Sequence, residues 1–124
     1  MVGPEQIVDD PQSVSYKGQA FQLEETQVFS DWLGSLRDRR AKARIVDRLK
    51  RASNGNFGDH KSVKGGVFEM RVDVGPGYRV YYFQRGRRLV ILLCGGDKGT
   101  QRADVAEAKR LKAEIESFDE GNAV

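Results

Sequence analysis

Residues 67–94 read VFEMRVDVGPGYRVYYFQRGRRLVILLC, and the reading of this stretch decides the fold. Val67–Val72 alternates apolar and polar side chains with a period of two, the signature of a strand. Gly75-Pro76-Gly77 forces a turn, Tyr78–Phe83 resumes the pattern, and Arg85-Gly86-Arg87 forces a second, tighter turn. Leu89–Cys94 is then apolar at every position, as suits a central strand covered on both faces. Three strands joined by short turns make an antiparallel meander.

Outward from the meander the period changes. Asp38 is placed to cap a helix running to about Ser53, with an apolar stripe of Ala41, Ile45, Leu49 and Ala52. Its other faces carry Arg39, Arg40, Lys42, Arg44, Arg48, Lys50 and Arg51, and Asn54-Gly55-Asn56 stops it. Thr26 is placed to cap a shorter helix presenting Val28, Phe29, Trp32, Leu33 and Leu36, and Phe21–Glu24 reads as a first strand. After Gly95-Gly96, the spacing of Ala103, Val105, Ala108, Leu111, Ile115 and Phe118 predicts a final helix. The expected order is β-α-α-β-β-β-α. This is an α+β domain with two N-terminal helices and a C-terminal helix around a twisted antiparallel sheet. Residues 1–19 are expected to be a flexible leader or an artificial extension, 20–118 the domain and 119–124 a flexible tail. The loops at 58–66, 75–79 and 95–102 are expected to gather around one concave face.

At 124 residues the chain is one domain by size. Its longest apolar run is six residues, and its acidic N-terminus carries no signal-peptide pattern, so no membrane partner is expected. Cys94 stands alone, which excludes an internal disulfide and a cysteine metal site and points to a reduced, cytoplasmic setting. No cofactor and no metal are expected. Charge is unevenly placed. Residues 31–102 hold seventeen Lys and Arg against seven Asp and Glu, a net +10 in a chain whose total is +3. A field of that kind concentrates polyanions and speeds encounter with them.

The segments Lys64-Gly65-Gly66-Val67-Phe68-Glu69-Met70-Arg71, Gly77-Tyr78-Arg79-Val80-Tyr81-Tyr82 and Leu92-Leu93-Cys94-Gly95-Gly96-Asp97-Lys98-Gly99-Thr100-Gln101 resemble the RelE/ParE toxin superfamily. More narrowly, they resemble its HigB-like, addiction-module killer branch, over roughly residues 20–116. The resemblance implies a toxin encoded beside a cognate antitoxin, of helix-turn-helix type, that neutralises it. The complex would repress its own operon, with operator DNA reached only through the antitoxin. Many such toxins cleave mRNA in the ribosomal A site; ParE-like members instead inhibit DNA gyrase without nuclease activity. By the same resemblance Arg79 matches the Gly-Tyr-Arg arginine and Lys98 a functional cation after the last strand. Lys61 and Lys64 lie where relatives place functional lysines.

Metal-independent RNA cleavage needs a base for the 2′-OH, cations for the charge growing on the phosphorus oxygens, and an acid for the leaving 5′-oxygen. Arg71 and Arg79 flank the Gly-Pro-Gly turn, and Lys98 follows the last strand in a glycine-flanked loop that lets backbone N–H groups approach a phosphate. Lys98, Arg79, Arg71 and Glu69 are therefore the catalytic candidates, with Lys61, Lys64, Tyr78, Gln101 and Arg102 as RNA contacts around them. The base and acid stay open among Glu69, His60, Tyr78 and Lys98. Each candidate has a structural rival. Arg79 can pair with Glu69 or Asp73, Arg71 can be a solvated strand residue, and Asp97 and Thr100 suit a helix cap. Alternation with Phe68 and Met70 places Glu69 opposite the core. The basic helix is either a solvated face or a grip on rRNA phosphates.

Overall fold

Residues 15–122 are described by a computed structural model of the chain, in which nine elements and one 3-10 turn follow in sequence. They are β1 (Ser15–Lys17), β2 (Gln22–Glu25), α1 (Gln27–Ser35), α2 (Arg39–Ser53), β3 (His60–Ser62), β4 (Phe68–Val72), β5 (Tyr78–Arg85), β6 (Leu89–Asp97), the 3-10 turn Lys98–Thr100 and α3 (Gln101–Asn122). The strands form one sheet in the order β1-β2-β6-β5-β4-β3. The α+β class agrees with the sequence, and so does the meander β4-β5-β6. The element order does not, because two three-residue edge strands, β1 and β3, are added. The sheet is also mixed rather than antiparallel, since β2 runs parallel to β6 with Leu23 beside Val90. Within the span expected to be a leader, Ser15–Lys17 is strand, and residues 1–14 lie outside the described residues. The expected tail is helical as far as Asn122.

The caps are where the sequence places them. Thr26 accepts from the N–H of Phe29, and Asp38 accepts from those of Arg40 and Ala41, satisfying donors that the first turns leave over.

Helices cover both faces of the sheet. On one, Phe29 and Leu33 of α1 and Ile45 and Leu49 of α2 pack on Leu23, Met70, Val72, Val80, Tyr82, Val90 and Leu92. On the other, Ala108 and Leu111 of α3 pack on Val67, Tyr81, Phe83, Ile91, Leu93 and Cys94. Alternation along β4, β5 and β6 assigns successive side chains to the two cores, which is why β6 has no polar face. A bulge in β6 between the partners of Tyr81 and Tyr82 leaves Leu93 without a cross-strand partner, and Leu93 and Cys94 both enter the α3 core.

The pair Gly95-Gly96 thins the end of β6 on both faces. A Cβ at position 95 would run into the indole of Trp32, and one at 96 into the carboxylate of Asp104. The two glycines thus admit α1 on one side and the start of α3 on the other. Among the described residues no helix is long and apolar enough to cross a membrane.

Candidate functional site

The α3-facing side of β4 and β5 carries a polar centre inside an apolar layer. Register puts Glu69 opposite Tyr81, Arg71 opposite Arg79, and Arg79 opposite Gly96 of β6. Glu69 is fully buried. A buried carboxylate is tolerated only with good partners, and here they converge on one oxygen. The amide of Gln101 donates to Glu69 Oε2 at 2.8 Å, the Tyr81 hydroxyl donates to it at 3.3 Å, and Arg79 Nε lies 3.3 Å away. Oε1 has no hydrogen-bond partner among the described residues. Burial, with Glu69 and Asp104 nearby, pushes the Tyr81 phenol well above its usual pKa, so it stays a donor. The Arg79 side chain is 11% exposed, at the mouth of this centre.

The segment after β6 is docked against the same end of the sheet. The backbone N–H of Lys98 donates to the carbonyl of Gly77 at 2.9 Å, two residues before Arg79. The Asp97 side chain accepts from Gly99 N–H at 2.8 Å and forms a capping box with Thr100, the capping role its sequence position suggested. Both backbone N–H groups of the Lys98-Gly99 loop are therefore engaged within the protein, and the expected backbone approach to a phosphate is corrected. What the loop presents is the exposed Lys98 side chain, with exposed Arg102 beyond half-buried Gln101.

The remaining candidates separate. Glu69 faces a second core instead of solvent, so it cannot be a base that touches substrate; it positions Arg79. Arg71 has its backbone opposite Arg79, but its guanidinium turns to Asp59 at 3.1 Å, away from Glu69. Tyr78 is opposite Val72 on the other face, its ring edge-on to Trp32 at 6.2 Å, and is withdrawn as an RNA contact of this centre and as its acid. His60 is opposite Met70 on that same face, hydrogen-bonded to the Gly58 carbonyl and near Phe57. Lys61 is exposed on β3 in register with Glu69. Lys64 is exposed in a left-handed turn (φ 79°) that enters β4, at the opposite end of that strand from Arg71. The three loops thus do not share one concave face: 75–79 and 95–102 meet, and 58–66 lies apart. Tyr81 joins the centre unannounced by sequence; its place opposite a carboxylate, inside an apolar strand, was the available signal. Among the described residues no group of three or more His, Cys, Asp and Glu side chains could hold a metal ion.

Residues 31–116 match the family model described as phage derived protein Gp49-like (DUF891). An uncharacterized protein of Haemophilus influenzae is 53% identical over 94 residues, covering 76% of this chain and 95% of that relative. The matched family is a different one from RelE/ParE, and the HigB-like resemblance is corrected accordingly. The motifs behind it answer to local needs: Gly75 and Gly77 turn the chain, and Gly95-Gly96 clears space for Trp32 and Asp104. Such needs recur wherever a sheet is built this way.

Proposed function

The chain belongs to the Gp49-like phage-derived family, and from that membership we propose that it is the toxin of a toxin–antitoxin pair. The family is associated with such toxins. In this reading it is a metal-independent, ribosome-dependent mRNA endonuclease, silenced by a cognate helix-turn-helix antitoxin through which alone it reaches operator DNA.

The supporting observation is the placement of Arg79. A buried carboxylate lies 3.3 Å from its Nε, its side chain keeps 11% exposure, and the Lys98 loop is hydrogen-bonded two residues away. Cleavage would proceed by attack of the 2′-oxygen on phosphorus as the bond to the 5′-oxygen breaks. A cyclic 2′,3′-phosphate and a free 5′-OH result, with solvent water taking the 2′ proton and giving one to the 5′-oxygen. Arg79 and Lys98 stabilise the charge that builds on the non-bridging oxygens. Glu69 and Gln101 position Arg79 and do not touch substrate. Among the described residues Arg79 pairs with buried Glu69, so in this reading the centre supplies charge and water carries the protons. Such a centre works on RNA already bent for in-line attack, the service a ribosome holding mRNA would perform.

Toeprinting on programmed ribosomes tests this. Wild type should cut A-site codons, and Arg79→Ala and Lys98→Ala should each lower the rate about 10²-fold or more. Intact mRNA together with trapped gyrase–DNA cleavage complexes would instead make it a binding-only toxin directed at gyrase.

A further inference from the structure

A second cationic feature lies where α2 meets the edge of the sheet at β3 and β4. Arg44, Arg48 and Arg51 of α2 and Arg71 of β4 line a hollow of about 350 Å³, with Asp59 and Asp73 also in its wall. Neither Arg79 nor Lys98 takes part, so it is separate from the Glu69 centre.

The hollow is built around Arg48. Its Nη1 donates to the Arg71 carbonyl at 2.6 Å and its Nη2 to the Phe57 carbonyl at 3.0 Å, so its hydrogen bonds end on neutral oxygens. Gly58 is left-handed (φ 62°), and a Cβ there would lie 2.6 Å from Arg48 Nη2. The loop is thus shaped to lie against a guanidinium that forms no ion pair among the described residues. Burial first, then the neighbouring Arg51 and Arg44, lower the Arg48 pKa, and the nearby Asp59 and Asp47 only partly oppose them. Arg71 pairs with Asp59, yet its Nε is buried without a hydrogen-bond partner among the described residues. Arg44 is exposed on the rim.

We propose that this hollow is a ribonucleotide subsite, taking a backbone phosphate among the four arginines and a ribose hydroxyl at Asp59 or Asp73. Guanidinium groups suit phosphate oxygens through paired N–H donors. The carboxylates discriminate among anions: an acidic peptide side chain brings acceptors only and meets Asp59 and Asp73 with repulsion. A ribonucleotide brings acceptors for the arginines and a hydroxyl donor for the carboxylates. The inference concerns binding and does not rest on the cleavage reading.

Fluorescence anisotropy with a labelled 12-nucleotide single-stranded RNA, and with DNA of the same sequence, tests it on the full chain. Arg44→Ala/Arg51→Ala removes two exposed cations from the hollow; Lys42→Ala/Lys50→Ala removes two from the same helix outside it. The first pair should raise Kd for RNA about tenfold or more and reduce the steepness of log K against log salt by about 0.7, the share of one phosphate contact to a single strand. The control should change Kd less than threefold, and wild type should bind the DNA several-fold more weakly. Equal losses for the two pairs, or equal affinity for RNA and DNA, would overturn the subsite. Displacement of the RNA by an equimolar poly-glutamate peptide would also overturn it, in favour of a protein partner. Cleavage lost in Arg79→Ala with RNA binding retained would separate this subsite from the Glu69 centre.

Discussion

The side-chain amide of Gln101 donates to the carboxylate of Glu69 at 2.8 Å, so the first residue of α3 is fastened to the middle of β4. The same oxygen faces Arg79 Nε at 3.3 Å. Placement of α3 and placement of the arginine are therefore one event.

Removing that carboxylate should cost stability and activity together. Glu69→Ala leaves Arg79 without its counter-charge in a site where the arginine is 11% exposed, and it should destabilise by about 3–5 kcal/mol. Glu69→Gln keeps the shape and an acceptor for Gln101, and it should cost clearly less. Urea unfolding midpoints read both. Equal and negligible effects would mean that the pair holds nothing in place.

Gly95→Ala should disturb Trp32, because a Cβ there would collide with the indole. Overpacking of this kind costs about 1–3 kcal/mol. Trp32 is the one tryptophan in the sequence, so its emission maximum should shift in the folded variant. An unshifted spectrum with unchanged stability would refute the contact.

Stability should fall on the alkaline side. Burial pushes the Cys94 thiol up to about 12, whereas an unfolded thiol titrates at about 8.5. The unfolded chain loses its proton first, so this contribution is complete below about pH 8.5 and shrinks as pH climbs toward 12. Tyr81 and Tyr82, whose phenols are also raised by burial, add to the decline from about pH 10 upward. Between pH 8.5 and 10 the urea midpoint of Cys94→Ala should therefore change less than that of wild type. Parallel curves would count against a buried, protonated thiol.

Arg48→Lys should destabilise despite keeping the charge. Arg48 serves two carbonyls, Arg71 at 2.6 Å and Phe57 at 3.0 Å, with different nitrogens of one rigid fork. Losing one such bond costs about 1.5–3 kcal/mol. Thermal unfolding that matches wild type would show that an ammonium replaces the fork.

Local instructions were legible in the chain, and long-range ones were not. Thr26 and Asp38 announce their helices because capping is settled within three residues. The turns at Gly77 and Gly86 are equally local. β1 and β3 escaped because three residues, mostly polar, carry no period. The parallel pairing of β2 with β6 depends on distant chain that no local pattern encodes. Glu69 departs from its expected place for a related reason. Alternation tells which side chains share a face, but not that α3 covers the second one. Once that cover exists, a residue opposite the first core lies inside another, and a presumed solvent-facing carboxylate becomes a buried anchor. Arg71 shows the complementary limit. Its backbone register beside Arg79 was foreseeable from the turn, while its rotation toward Asp59 was not.

The parallel seam sets the order of assembly. The Thr26 hydroxyl reaches the carbonyl of Leu93, 67 positions along, just where β2 has finished its pairing with β6. Contacts so far apart slow folding, since loop closure must precede any gain from them. A nascent or truncated chain that stops before β6 leaves β2 with β1 alone beside it and β5 as a bare edge. Such a fragment also lacks the helix that anchors Glu69, so the centre can come into being only after Gln101 has been made.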